Sequence, residues 1–391
     1  MREGNISTDL IHGHEYYDER LGLFKVPIYL SAVYEQFDRE SGEPRLSSRG
    51  VELKYSREEN PTTLALERAL ARLEGGIDAI AFSSGMAAIS ALYLSKLERG
   101  SRIVVPKEAY GTTIQLARDL EKFGVEVSSA WPSAESIVEA LDGGADIVLV
   151  EVVTNPTLKV VDVCEVAKAC AECGATLVVD NTLASPVLFK PLLRGAPLVV
   201  ESATKYIAGH NDVVAGVVAS RSLELAREMW EWRRRLGSIL PPFEAYLVLR
   251  GLATLEVRFE RYSKSALEIA EFLEDHPRVS EVLYPGLESS PYRQLADRLF
   301  ERKLYGGVLS FRVRGGRSRA LRVLRRARLV RSSPSFGGPE SLLSYPVASA
   351  SKFVPEEDRE RLGITEDLLR LSVGLEDPAD IMEDLDRALG D

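Results

Sequence analysis

The chain reads as an α/β protein, with a mostly parallel sheet flanked by helices and a smaller α+β domain after it. Three observations carry this. Short apolar runs alternate with helical periods from residue 78 to residue 206. The runs are continuously apolar, as strands covered on both faces are. The texture then changes near residue 245. With 391 residues and 45% hydrophobic content, the chain has material for one large core and a smaller second one. The spacing gives an arm over 1–60, a large domain over 61–245 and a smaller domain over 246–391.

The arm has an apolar patch, VPIYLSAVY (26–34), and a polar stretch, RESGEPRLSSRG (39–50), but no clear period. From residue 61, Leu64, Leu66, Leu70 and Leu73 recur at helical spacing and end at Gly75 and Gly76. DAIAFSS (78–84) is a strand running into a turn, and GMAAISALYLSKL (85–97) is a helix. RIVVP (102–106), VEVSSAW (125–131), ADIVLVEVV (145–153), ATLVVDN (175–181) and APLVVESATKY (196–206) read as strands. Between them lie helices over 113–124, 133–142 and 163–174. Farther on, 255–276 reads as a long helix, GGVLSFRV (306–313) and LLRLSVGL (368–375) as strands, and PADIMEDLDRAL (378–389) as a last helix. No internal repeat is present.

Composition narrows the function. A net charge of −10 repels nucleic acid. One run opposes that balance, with nine arginines between Arg312 and Arg331 interleaved with Leu321, Val323, Leu324 and Leu329. It reads as an amphipathic helix with a solvated basic face. No apolar run reaches the roughly 18 residues that cross a bilayer, and the N-terminus lacks the apolar core of a signal peptide. The expectation is a cytoplasmic protein. Cys164, Cys170 and Cys173 lack the second ligand pair that tetrahedral zinc needs, so no metal is expected and the three read as buried structural thiols.

The residues with chemical potential sit where strands end, which is where open α/β sheets bind ligands. Ser83, Ser84, Gly85 and Met86 open a helix, whose N-terminal N–H groups favour an anion. Asp180 ends an apolar strand and needs a partner there, cationic or structural. Lys205 follows the next apolar run, and burial would make it a usable amine. Each has a plainer reading alone: turn geometry, a helix cap, a surface lysine. Together they form the set that pyridoxal phosphate requires, one group each for phosphate, pyridinium nitrogen and aldehyde. Ser202 and Thr204 flank Lys205 with hydroxyls, and Tyr110 offers a ring to stack.

The motifs YSREENPT (55–62), SSGMAA (83–88), AYGTT (109–113), E-x-x-T-N-P (151–156), VVDNT (178–182), SATKYIAGHND (202–212), RGLATL (250–255), SFGGPESL (335–342) and LLRLSVGLEDP (368–378) extend the set. Together they resemble the Cys/Met-metabolism enzymes, a family of fold-type-I pyridoxal-phosphate enzymes. That family includes cystathionine γ-synthase, cystathionine γ-lyase, cystathionine β-lyase, methionine γ-lyase and the O-acylhomoserine sulfhydrylases. The resemblance runs from about residue 26 to the C-terminus. It implies a seven-stranded-type sheet and γ-elimination or γ-replacement on sulfur amino acids or activated homoserine. Methionine γ-lyase or sulfhydrylase activity is the alternative, and a cofactor-binding regulator or an aminotransferase a remote one.

By the same resemblance, Lys205 anchors the cofactor and shuttles protons, Asp180 keeps its ring nitrogen protonated, and Tyr110 stacks on the ring. Ser84, Gly85, Met86, Ser202 and Thr204 hold the phosphate. Tyr55 and Arg57 reach the phosphate of a neighbouring subunit, which implies a catalytic dimer, usually paired into a tetramer. Asn155, which also borders the cofactor, joins Ser335 and Arg370 in holding the substrate α-carboxylate. The chain departs from the family pattern at Pro334, where several γ-synthases and γ-lyases carry Glu. It departs also at Phe336, Thr112, Asn211 and the stretch YPVASASKF (345–353).

Overall fold

The computed structural model describes residues 5–16, 18 and 21–390. Residues 1–4, 17, 19 and 20 of the expected arm lie outside the described residues. The first sheet contains β1 (Asp78–Phe82), β2 (Arg102–Pro106), β3 (Glu126–Ala130), β4 (Ile147–Glu151), β5 (Thr176–Asp180), β6 (Leu198–Glu201) and β7 (Gly216–Ser220). Their order is β1-β7-β6-β5-β4-β2-β3. β7 runs antiparallel to both β1 and β6, while β2 to β6 pair in parallel. The sheet is thus mostly parallel.

The continuous apolarity of the strands has a direct cause. Ile80, Ile103, Leu149, Val178, Val200 and Val218 fill a core on one face, under the helices Gly85–Lys96 and Leu223–Leu236. Ala81, Val104, Val150, Val179, Val199 and Val217 fill the larger core on the other. Side chains alternate along a strand, so a sheet covered on both sides needs apolar residues at every step. Burying each Val, Leu or Ile contributes about 1.5–3 kcal/mol.

The structure departs from the sequence reading at several elements, among them the helices Leu223–Leu236 and Pro242–Leu252, which that reading did not assign. The run 196–206 is strand only to Glu201, and Lys205 stands four residues beyond it in a turn. β7 has no sequence counterpart above: its five residues lie between a turn-rich stretch and the Leu223–Leu236 helix. Gly216 opens it because a Cβ there would lie 2.2 Å from the Ser84 carbonyl oxygen. The arm also holds a helix, Ile6–His12, fixed to the Pro61–Glu74 helix by Arg72 Nε on Asp9 at 2.6 Å. Residues 21–60 form only isolated bridges.

The second sheet holds β8 (Val279–Leu283), β9 (Val308–Val313), β10 (Arg331–Ser332), β11 (Leu342–Ser344) and β12 (Leu368–Ser372), in the order β10-β11-β12-β9-β8. The arginine-rich helix, Gly316–Arg326, buries Ala320 and Val323. Arg319 and Arg326 donate to carbonyls of Leu389 and Gly390, where the last helix is electronegative. The cysteines divide. Cys170 continues the buried stripe of Val163, Val166 and Ala167, whereas Cys173 is exposed in the last turn before Gly174 and Cys164 is half-buried. The expectation of three buried thiols therefore fails for Cys173. No described helix is long and apolar enough to cross a membrane.

Candidate active site

A cavity of about 620 Å³ opens beyond the C-terminal ends of β4, β5 and β6, within the usual range for small-ligand sites. Ser84, Gly85, Met86, Tyr110, Asn155, Asp180, Ser202, Thr204, Lys205 and Ser335 all line it. Arg370 lies directly behind, bonded to Asn155. Tyr55 and Arg57 do not line it. Arg57 donates instead to the Arg234 carbonyl at 2.8 Å and stacks over Tyr55.

One wall is formed by the start of the Gly85–Lys96 helix and the Ser202 turn. Ser84 caps the Gly85–Lys96 helix, accepting the Ala87 N–H at 3.0 Å. The first N–H groups of a helix have no partner within it. A Cβ on Gly85 would come within 3.1 Å of Ser202 Cβ, so glycine lets the helix start sit against the Ser202 turn. Thr204 is engaged locally, donating to Ala215 O at 3.1 Å and accepting from its N–H at 2.9 Å.

Lys205 stands on the turn beyond β6. Buried Arg258 staples that turn, donating to Tyr206 O at 2.9 Å, Ile207 O at 3.3 Å and Gly251 O at 2.8 Å. Lys205 Nζ donates to Ser335 Oγ at 2.9 Å. Burial, with Arg370 nearby, lowers its pKa to about 8, so about a tenth is free amine at pH 7, far more than for an ordinary lysine.

Asp180 ends β5. Burial raises its pKa, opposed by hydrogen bonds from Thr182, whose N–H lies at 2.9 Å. No cation among the described residues bears on it. Glu151, its register partner on β4, was not marked out by the sequence as a site residue. Its carboxylate accepts the Tyr110 N–H at 2.7 Å and the Asn155 N–H at 3.2 Å, joining two site loops. Burial, and then the charge of Asp180, push its pKa well up. The signal was available, since Glu151 opens the E-x-x-T-N-P motif. The loop after it is tied down by Glu108, which accepts from Thr154, Thr157 and Lys159.

Arg370 projects from β12 and is 2% exposed. Nη1 donates to Asn155 Oδ1 at 2.7 Å, and Nη2 to the Pro334 and Ser335 carbonyls at 2.5 and 3.1 Å. These partners are all neutral. Nε has no partner, and burial lowers the pKa to about 10. A buried guanidinium without a counter-ion, beside a cavity, suits a carboxylate ligand.

Comparison with known proteins agrees with this geometry. The family described as Cys/Met metabolism PLP-dependent enzyme matches residues 7–390. A cystathionine β-lyase of Coxiella burnetii is 36% identical, covering 99% of this chain and 98% of its own. An L-methionine γ-lyase of Fusobacterium nucleatum subsp. nucleatum is 38% identical, covering 100% and 99%. The crystal structure of a cystathionine γ-synthase from Xanthomonas oryzae pv. oryzae, in complex with aminoacrylate and cysteine, superposes with a TM-score of 0.92. It is 36% identical and covers 99% of this chain and 98% of its own. Three differently named relatives stand at nearly equal identity, so identity alone does not choose among their reactions.

Proposed function

The chain belongs to the Cys/Met metabolism PLP-dependent enzymes, and from that premise we propose γ-elimination or γ-replacement on sulfur amino acids or activated homoserine, of the cystathionine γ-synthase or γ-lyase type. The observation that carries this is Arg370: a buried, uncompensated guanidinium joined to Asn155 and reaching the Ser335 backbone, with Lys205 on the Ser335 hydroxyl.

Pyridoxal phosphate fits the residues present. Ser84, Gly85, Met86 and Ser202 form the cradle for its phosphate, with Thr204 beside them. Asp180 is a buried carboxylate with no cation of its own, as a ring-nitrogen partner should be. Lys205 is the amine for its aldehyde. When bound, the cofactor supplies an electron sink for charge that develops on the substrate carbons.

The chain's own residues do the rest. Arg370 and Asn155 hold the α-carboxylate and fix which Cα bond faces the ring. Lys205 takes a proton at Cα and, in γ-chemistry, serves again at Cβ, each step contributing about 10²–10⁴-fold. Tyr110, at the cavity wall, would supply an aromatic face for the cofactor ring and a hydroxyl on the leaving-group side. Tyr55 and Arg57 act across a dimer interface on a second copy's phosphate. Exposed Phe24, Leu30, Val33, Phe37 and Leu46 on the arm support that pairing. The same reading makes the enzyme a cytoplasmic dimer of dimers, with residues 1–60 as arm, 61–245 as the cofactor-binding domain and 246–391 as the smaller one.

A second reading, methionine γ-lyase, is favoured by the wall of Val214, Pro334, Phe336, Ala348, Ala350 and Phe353, which suits a small thioether. A substrate panel decides. L-cystathionine, L-methionine, L-cysteine and O-acyl- or O-phosphohomoserine are assayed with and without thiol for 2-oxoacid and thioether. Thioether formation or cystathionine cleavage is expected to dominate. Predominant methionine turnover selects the second reading, and no turnover of any member rejects both.

A further inference from the structure

Glu74 and Glu201 lie outside the cavity and have no role in the chemistry above. Each is 2% exposed. Glu74 ends the Pro61–Glu74 helix, and Glu201 ends β6 immediately before Ser202. Their carboxyls meet at hydrogen-bonding range, with Asn181 beside both. Neither Glu74 oxygen, nor Glu201 Oε1, nor Asn181 Oδ1 is reached by a donor. Asn181 commits its amide to the Phe189 carbonyl at 2.9 Å. The charged groups facing the pair are Lys190, which bears on Glu74, and Asp180, another acid, which bears on Glu201. No cluster of three metal-ligating side chains occurs among the described residues.

Two adjacent carboxylates in a dry interior are costly to keep charged together. One proton resolves the conflict, because it makes one carboxyl the donor that the other lacks. We propose that Glu74 and Glu201 hold one proton between them and act as a hydrogen-bonded strut of single negative charge, faced by Lys190, that positions the two turns beside it. Asn181 directly follows Asp180, and Glu201 directly precedes the Ser202–Lys205 turn. The strut therefore braces the ring-nitrogen acid and the cofactor amine from behind. Both are positioning residues. The inference rests on the cofactor reading above for its consequence, but not for the proton itself.

Burial raises both acids, Glu74 to about 7. Such groups contribute full stability below the unfolded carboxyl pKa of about 4.5 and lose it as pH climbs through the folded value. Glutamine carries a permanent donor where the proton would sit. The test compares wild type, Glu201→Gln, Glu74→Gln and Glu201→Ala. Infrared difference spectra at neutral pH read the proton, and melting curves and cofactor retention after dialysis read the strut from about pH 5 to about pH 9. The expected result is a protonated-carboxyl band in wild type that Glu201→Gln removes. Wild type should lose melting temperature and cofactor with rising pH, while Glu201→Gln stays level and Glu201→Ala is lower throughout. Absence of the band, or a Glu201→Gln profile that falls with pH as wild type does, overturns the proposal. If Glu201→Gln does not fold, Glu74→Gln faces the same criteria. An intact band in a protein inactive on every substrate would fault the function and leave the strut standing.

Discussion

The two sides of the cavity carry opposite and separately unbalanced charge. The first sheet delivers Asp180 and Glu151, neighbouring carboxyls on which no described cation bears. The second sheet delivers Arg370, whose partners are all neutral oxygens. Arg370 does not reach across to an acid, although it stands just behind the wall of the cavity that Asp180 and Glu151 line. A protein stabilised for its own sake would pair them. Kept apart, each side leaves room for a ligand of opposite charge, a cationic ring on one and an α-carboxylate on the other.

Four measurements bear on that contrast, from the largest effect to the smallest. Lys205→Ala should abolish the visible cofactor band and lower turnover by about 10⁴-fold or more, since two proton transfers lose their base. A variant with a normal band and rate would remove Lys205 from the centre. Arg370→Ala should reduce kcat/KM by about 10²-fold or more, mostly through KM, as loss of a buried charged contact does. Arg370→Lys should recover little of it, because the fork geometry is lost. Full rescue by lysine would mean that charge alone matters on that side. Glu151→Gln keeps one acceptor and turns the other into a donor facing an N–H group. About a tenfold loss in kcat/KM, with cofactor content unchanged, is expected from one broken hydrogen bond. Loss of cofactor instead would make Glu151 a ring-side acid like Asp180. Finally, Lys205 is lowered to about 8. Capture of pyridoxal phosphate by the cofactor-free protein should therefore speed up as pH rises towards about 8 and level off above it, as the free amine saturates. A rate still climbing at about pH 10 would indicate an unperturbed lysine.

Much of this was legible in the residues because the first sheet and its helices obey local rules. Apolar runs covered on both faces announced β1, β2, β4, β5 and β6, and helix stops such as Gly75 and Gly124 marked boundaries. Asp180 could be read as a strand end directly. β7 could not, since its antiparallel place between β1 and β6 is set by packing and not by a crossover period. The cavity residues from β12 and the Ser335 loop were assigned only through family motifs. Nothing local in LLRLS says that Arg370 is buried without a counter-ion, which depends on contacts made 215 positions away at Asn155. Glu151 escaped notice because a clamp on two backbone N–H groups leaves no pattern of spacing.

The arm has a consequence for the life of the chain before it is an enzyme. Phe24 is 92% exposed, Leu30 75% and Val33 65%. Grouped apolar side chains on a solitary protein are an invitation to indiscriminate association. A newly synthesised copy is therefore most vulnerable while it is alone. On the pairing proposed above, its yield in a cell should depend on how soon another copy covers those residues.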